Sequence, residues 1–249
     1  MRSTPKKIFD SIWGFAKLIP GLAVIPFADS FATGAWDVMK QRTEVMFTKA
    51  KPWNADGYQS INGYTDIREA GLTKFLKTLE ESQNEHHKEI ILVGHSMGTI
   101  IANKILAEHP NIKFSKIIYM GAACSIKDFQ VSVIPYLKVH ADTQFFNYML
   151  HPVAENLEAY WIVGAGSLLT LIDNIFENQV FENHKTLGKW VNVMNGINFF
   201  NVGDSTLKSR IHLRTMKLDK NYPTKHGSFD DSEYSENPNK GFWTENFGK

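Results

Sequence analysis

The sequence has few cysteines, no surplus of basic residues and none of the common cofactor or metal motifs. Cys124 is the only cysteine in 249 residues, which excludes an internal disulfide and a cysteine-rich metal site. Lysine and arginine (27) almost balance aspartate and glutamate (26), so the basic surplus typical of nucleic-acid-binding proteins is missing. No G-x-x-x-x-G-K-[ST] loop, dinucleotide-binding glycine pattern or H-E-x-x-H metal motif occurs. We therefore expect no cofactor, no metal and no nucleic-acid partner.

Long apolar runs are missing as well. The uncharged stretch over residues 18–28 is far shorter than the roughly 20 residues that cross a bilayer. Asp10 and Lys17 interrupt the N-terminal apolar segment, which argues against a signal peptide. An amphipathic helix over residues 8–18 would allow weak contact with a membrane surface, although such a helix more commonly packs on its own domain. We expect a soluble, cytoplasmic protein, and the sequence does not indicate its oligomeric state.

Apolar residues are plentiful, at 43 % of the chain, and 12 % of the residues are aromatic. This composition is enough for a large core and for an apolar pocket. Helical patterns and short apolar runs alternate along the chain, which is typical of parallel βαβ units in an α/β sandwich. The predicted elements are a helix over residues 66–82, a strand over 89–93, a helix over 99–108, and strands over 116–121, 197–202 and 210–218.

The alternation stops between residues 125 and 196. This stretch shows helical periodicity and many aromatic side chains, for example over residues 145–150, but no convincing strand. A connection of that length between two strands is usually a functional insertion. We therefore predict a mostly parallel sheet flanked by helices, built from residues 1–124 and 197–249, with a helical cap of residues 125–196.

One motif carries chemistry. Gly94-His95-Ser96-Met97-Gly98 follows a predicted buried strand and precedes a predicted helix, so it is G-x-S-x-G at a strand–turn–helix junction. The turn must be so sharp that side chains two residues before and after the serine would clash, which explains both glycines. The turn exposes the serine oxygen where the N-terminus of the next helix favours developing negative charge. Ser96 is therefore the candidate nucleophile.

A serine nucleophile needs a base, and the base needs an orienting acid. On α/β sheets that carry this elbow the chain order is serine, acid, histidine, so the base is expected in a loop after the last strand. His226 in Lys225-His226-Gly227 fits that position. Seven other histidines fit less well because of their predicted positions in the last strand (His212), the cap (His140, His151 and His184), the loop before the elbow (His86 and His87) or the elbow itself (His95).

The acid is expected a few residues beyond the strand that follows the cap. Asp204, in Val202-Gly203-Asp204-Ser205, has that position, although it could instead close a turn. Asp128, just past the strand over 116–121, is the second candidate. Asp219 lies only a few residues before His226 and is a weaker one, and Asp142 and Asp173 are interpreted as charges on the surface of cap helices.

The oxyanion that forms during acyl transfer needs two backbone N–H donors. Met97, the residue after the nucleophile, is the first. The second is expected in a loop after an earlier strand. A strand over residues 22–27 followed by a loop over 28–30 would make Ala28 this donor, with a covering helix over 36–46 and a further strand over 57–64.

Together the elbow Gly94–Gly98, the acid turn Val202–Ser205 and the late Lys225-His226-Gly227 resemble the α/β-hydrolase superfamily, in its serine esterase and lipase branch. The resemblance implies an α/β-hydrolase fold in which Ser96 is the nucleophile, Asp204 the acid, His226 the base and Met97 an oxyanion donor. Two departures stand out. Only about 90 residues precede the elbow strand, and the His-Gly pair usual in the oxyanion loop is absent.

These residues predict a carboxylic-ester hydrolase that works through an acyl-enzyme on Ser96. The aromatic-rich cap favours a small-molecule ester with an apolar acyl or aryl part, because such caps commonly form the walls of apolar pockets. An acyltransferase or thioesterase with the same triad is an alternative. A hydrolase-fold protein that binds a ligand without catalysis is another, although such proteins usually lose a member of the triad.

Overall fold

The computed structural model describes residues 25–52, 66–86, 89–158, 166–177, 181–200, 203–229 and 231. The predicted helix over 8–18 and the predicted strand over 57–64 lie outside these residues. None of the helices in the described ranges combines the length and the apolar character that crossing a bilayer requires.

A parallel sheet of four strands, in the order β3-β4-β5-β6, organises the chain. The strands are β3 (Ile91–His95), β4 (Lys116–Met120), β5 (Gln144–Met149) and β6 (Ile211–Thr215). The register aligns Ile91 with Lys116, Ile117 with Phe145, and Phe145 with Ile211. Two short antiparallel strands, β1 (Lys51–Pro52) and β2 (Asp66–Ile67), form a separate pair.

Helices surround the sheet. The α-helices are α1 (Ile25–Val45), α2 (Gly71–His86), α3 (Gly98–Glu108), α4 (Ile126–Asp128), α5 (Ile134–Val139), α6 (Pro152–Leu157), α7 (Leu168–Leu171), α8 (Trp190–Asn195) and α9 (Ser205–Ser209). π-Helical turns occupy Phe129–Val133 and Ile172–Phe176, and 3-10 turns occupy Glu182–His184, Ile197–Phe200 and His226–Ser228. The structure therefore confirms the predicted α/β class.

The central strand β4 shows why short apolar runs become strands here. Ile117, Ile118 and Tyr119 are fully buried, because strands β3 and β5 lie on either side of β4 and side chains cover both of its faces. A strand buried on both faces needs no polar alternation. The preceding helix, α3, ends at Glu108 because Pro110 disfavours helical backbone at the residue before it. The predicted helix over 99–108 and the predicted strand over 116–121 are confirmed.

The predicted helical cap over residues 125–196 is wrong in extent. Strand β5 lies inside it and pairs with both β4 and β6, so this part belongs to the core sheet. Periodicity alone cannot distinguish a short apolar run in a buried strand from one in a helix. The predicted strand over 197–202 is also wrong, since residues 197–200 form a 3-10 turn. The insertion therefore lies between β5 and β6.

The predicted strand and loop near the N-terminus are also wrong, because a short apolar run does not distinguish strand from helix. Residues 25–27 of the predicted strand over 22–27 belong to helix α1, and so does the predicted loop over 28–30. An apolar run there is ambiguous between strand and helix. The predicted covering helix over 36–46 corresponds to the second half of α1.

Backbone contacts join the insertion to the loop after β4. The N–H of Gly188 donates to the carbonyl of Ala122 at 2.8 Å, and that of Leu187 donates to the carbonyl of Cys124 at 2.8 Å. A Cβ at Gly188 would overlap the backbone nitrogen of Ala122. Only glycine therefore allows the two segments to lie this close.

We expect Gly188→Ala to lower the free energy of unfolding by about 3 kcal/mol or more, because the backbone of Ala122 has to move. Gly34→Ala is the matched control. Gly34 is exposed within α1 and has open space around it, so alanine should raise stability by up to about 1 kcal/mol. Urea denaturation followed by circular dichroism measures both values. Equal stability of the Gly188→Ala variant and the parent would contradict the close approach.

Candidate active site

Ser96 lies at the turn between β3 and α3 in a strained conformation. Its φ of 52° is the only positive φ of a non-glycine residue in the described chain. The N–H of Ser96 donates to the carbonyl of Met120 at 2.9 Å, and the Ser96 carbonyl accepts from the Thr99 hydroxyl at 2.7 Å. These contacts to β4 and α3 hold the turn, so the surrounding structure maintains the strain.

The two elbow glycines differ in their surroundings. A Cβ at Gly94 would lie 3.1 Å from the Cα of Thr99, which confirms the steric requirement there. A Cβ at Gly98 would meet no atom of the described residues within 4 Å. The predicted clash at Gly98 is therefore wrong, because the start of α3 leaves open space on that side.

The structure brings His226 to Ser96. His226 begins the 3-10 turn that follows β6, and its Nε2 lies 2.9 Å from the Oγ of Ser96, although the two residues are 130 positions apart. The imidazole is 4 % exposed. A serine hydroxyl within hydrogen-bond distance of an imidazole nitrogen is the contact that proton transfer from the serine requires.

Three groups fix His226 in this position. Its N–H donates to the Glu158 carboxylate, at 3.0 Å from Oε1 and 2.9 Å from Oε2. Its carbonyl accepts from Nε2 of His95 at 2.9 Å, and the His95 ring lies against the His226 ring with centroids 5.4 Å apart. Gly121, with a φ of +50°, lies so close that a Cβ there would be 3.1 Å from Nδ1 of His226.

The surroundings keep the imidazole neutral. Burial, and next the neighbouring His95, lower the pKa of His226 from 6.5 to about 3. Nδ1 of His226 is buried and has no hydrogen-bond partner within the described ranges. The ring is therefore held at Nε2 and through its backbone, but not at its second nitrogen.

The structure does not bring Asp204 to His226. Asp204 is exposed and is the N-cap of α9, where Oδ1 accepts from the N–H groups of Thr206 at 2.9 Å and Leu207 at 3.2 Å. The assignment of Asp204 as acid depended on a strand over 197–202. Since residues 197–200 form a 3-10 turn, the assignment loses its basis.

The other predicted candidates for the acid are also engaged locally. Asp128 forms a capping box with Ser125, whose N–H donates to Oδ2 at 2.9 Å. Asp219 accepts from the N–H of Asn221 at 2.8 Å. Asp173 is not the predicted surface charge, since it is 4 % exposed and accepts from Thr186 and Asn192.

Sequence reasoning missed Glu158. It follows β5 and α6, and a carboxylate soon after a sheet strand is the signal that could have found it. The apolar pattern of residues 144–149 predicts helix instead of strand β5, which hides this signal. Within the described chain, no three His, Cys, Asp or Glu side chains converge in a way that could hold a metal ion.

The predicted oxyanion donors fare differently. Met97 is the N-cap of α3, so its N–H precedes the hydrogen-bonded turns of that helix, and its role as a donor stays a prediction. Ala28 lies in the first turn of α1, and the loop that was to present it does not exist. The assignment of Ala28 is therefore wrong, and the described residues indicate no second donor.

Apolar side chains surround the residue after the serine. Met97 packs against a buried cluster that includes Trp36, Ala123 and Ile172. A cavity of about 330 Å³ lies next to this cluster and shares Ile100, Ala123 and Ile172 as lining residues. Its polar lining comes from Lys40, Ser125, Lys127, Asp128, Glu177, His184 and Thr186.

Comparison with known proteins identifies the family. The model of the family described as "Serine aminopeptidase, S33" matches residues 61–189, just over half of the chain. The chain belongs to this family. The S33 family has the α/β-hydrolase fold, so the predicted superfamily is confirmed. The S33 match contains Ser96 and Glu158 but ends before His226. Neither the curated proteins nor the solved structures gave a match.

Gly121→Ala tests whether the position of the imidazole matters. The new methyl group would lie 3.1 Å from Nδ1 and Cε1 of His226, and the positive φ disfavours alanine. We expect the rate of fluorophosphonate labelling to fall at least about tenfold. Gly227→Ala is the matched control, because it adjoins His226 with open space around it, and it should stay within about twofold. Equal rates for both variants would contradict the close packing at Gly121.

Proposed function

We propose that the protein is a serine hydrolase that cleaves carboxylic esters. The contact of 2.9 Å between Ser96 Oγ and His226 Nε2, at a turn where Ser96 has a φ of 52°, carries the proposal. Membership of an α/β-hydrolase family supports hydrolysis as the reaction class. We further propose that the bond cleaved is an ester and that Ser96 and His226 act as nucleophile and base.

In the proposed mechanism, Nε2 of His226 takes the proton of Ser96 as Oγ attacks the acyl carbonyl. The negative charge on the carbonyl oxygen develops near the N–H of Met97 and the N-terminus of α3, where both stabilise it. His226 then returns the proton to the leaving alcohol. Water, deprotonated by the same nitrogen, releases the acid from Ser96.

The apolar cluster around Met97 favours an ester with an apolar acyl part. An aminopeptidase must instead bind the charged amino group of its substrate, which requires a carboxylate that can pair with that group. Both carboxylates of the cavity have other partners: Asp128 accepts from the Ser125 N–H, and Glu177 accepts from Trp36 and Lys40. An acyl group of a few carbons can contact the apolar side chains that pack around Met97, next to Ser96.

The test is a series of p-nitrophenyl esters from acetate to octanoate, with amino-acid p-nitroanilides assayed beside them. We expect ester turnover, with kcat/KM rising with acyl length over the first few carbons because of apolar burial. Ser96→Ala should lower ester kcat at least about 10⁴-fold without loss of the folded state.

Ester hydrolysis that persists in Ser96→Ala would overturn the proposal. Faster cleavage of the anilides than of the esters, lost in the same variant, would identify a peptidase instead. Addition of a competing alcohol distinguishes hydrolysis from acyl transfer, because a transferase would form the new ester as its main product.

A further inference from the structure

The peptide unit between Ser96 and Met97 is hydrogen-bonded on one side only within the described residues. The Ser96 carbonyl accepts from the Thr99 hydroxyl at 2.7 Å, from the Thr99 N–H at 3.1 Å and from the Ala123 N–H at 3.2 Å. The Met97 N–H, on the other side of the same unit, donates to no residue of the described chain. This N–H is therefore available to a bound substrate.

The planarity of the peptide connects these two sides. In a trans peptide, such as those of the described chain, the N–H points in the direction opposite to the carbonyl, and the two groups turn together. Donors to the Ser96 carbonyl therefore also fix the direction of the Met97 N–H. They polarise the peptide unit as well, which makes its N–H a stronger donor to an anion.

The Thr99 hydroxyl makes the shortest of the three contacts to this carbonyl. Thr99 is fully buried in the first turn of α3. Its oxygen also accepts from the Cys124 N–H at 3.2 Å, and a hydroxyl has one hydrogen, which it donates to the Ser96 carbonyl. The Cys124 carbonyl in turn accepts from the Leu187 N–H at 2.8 Å. The hydroxyl thus connects the elbow with the loop after β4 and, through that loop, with the insertion.

We propose that Thr99 is a positioning residue of the site, whose buried hydroxyl holds the Ser96 carbonyl so that the Met97 N–H points at the substrate oxyanion. As Ser96 Oγ bonds to the acyl carbon, its proton goes to Nε2 of His226 and an electron pair moves onto the carbonyl oxygen of the substrate. Thr99 keeps its proton and acts through the peptide unit, without touching the substrate. This proposal rests on the proposed hydrolase function.

Thr143 provides a matched control for the loss of a buried hydroxyl. It is 2 % exposed, and its hydroxyl donates to the Phe114 carbonyl at 2.6 Å, so it resembles Thr99 in burial and in hydrogen bonding. It directly precedes β5, whereas Ser96 directly follows β3. Because the sheet is parallel, the two threonines lie at opposite ends of it. Thr143→Val should therefore lower stability without an effect on the site.

The experiment compares Thr99→Val, Thr99→Ser and Thr143→Val with the parent on p-nitrophenyl butanoate. We expect Thr99→Val to lower kcat at least about fivefold with KM within about twofold, because the Met97 N–H stabilises the charge that develops in the transition state. Thr99→Ser keeps the hydroxyl, so its kcat should lie within about threefold of the parent. Thr143→Val should keep kcat within about twofold, and thermal unfolding shows how much each variant is destabilised.

A second substrate makes the result independent of the fraction of folded enzyme. In the thiono analogue of the same ester, sulfur replaces the carbonyl oxygen and is a weak acceptor of hydrogen bonds. The ratio of kcat/KM for the ester to kcat/KM for the thiono ester therefore reports the donor. It should fall at least about threefold in Thr99→Val and stay within about 1.5-fold of the parent in Thr99→Ser and Thr143→Val.

A smaller loss of kcat in Thr99→Val, an unchanged ratio of the two substrates, or a Thr99→Ser kcat as low as that of Thr99→Val would overturn the proposal. If Thr99→Val does not fold, Thr99→Ala replaces it, with the same expected loss and the same expected change in the ratio. Failure of the hydrolase function has a different signature, since the parent would then lack ester turnover or keep it in Ser96→Ala, which would overturn both proposals.

Discussion

The hydrogen bond between the Ser96 hydroxyl and the His226 ring joins two segments that are 130 residues apart, and the surrounding structure holds both ends of it. On the serine side, the carbonyl of Met120 and the hydroxyl of Thr99 maintain a backbone conformation that serine rarely adopts. On the histidine side, Glu158 and His95 hold the backbone while Gly121 leaves room for the ring. Several separate elements of the fold therefore hold the Ser96 hydroxyl and the His226 ring in contact.

The insertion between β5 and β6 belongs to this arrangement as much as the sheet does. Its residues 186–188 run against the loop after β4, and buried Asp173 connects Thr186 and Asn192 in a closed hydrogen-bonded network. Lys189 lies 3.6 Å from the same carboxylate, which balances the buried charge. The same insertion supplies Glu158 to the back of His226 and Ile172 to the apolar cluster at Met97. The insertion therefore contributes to both the acid–base groups and the apolar wall.

The sequence predicts well those features that depend only on neighbouring residues. The elbow, its strand and its helix follow from neighbouring residues, since the glycine at position 94 and the apolar runs on both sides require no knowledge of distant contacts. His226 was found because it follows the last strand and no other histidine does. The capping bonds of Asp204 also depend only on local sequence, whereas the contact of Glu158 with the His226 backbone depends on β5. Whether residues 144–149 form a strand or a helix is decided by β4 and β6, which no local pattern reveals.

The proposed function depends on the contact between Ser96 and His226, which would make Ser96 the nucleophile. The most direct measurement is fluorophosphonate labelling followed by peptide mass spectrometry, on the parent and on His226→Gln. We expect a single adduct on Ser96 in the parent and no adduct in the variant at matched times, because a hydroxyl without its base reacts far more slowly. An adduct on another residue, or equal labelling of Ser96 in His226→Gln, would contradict it.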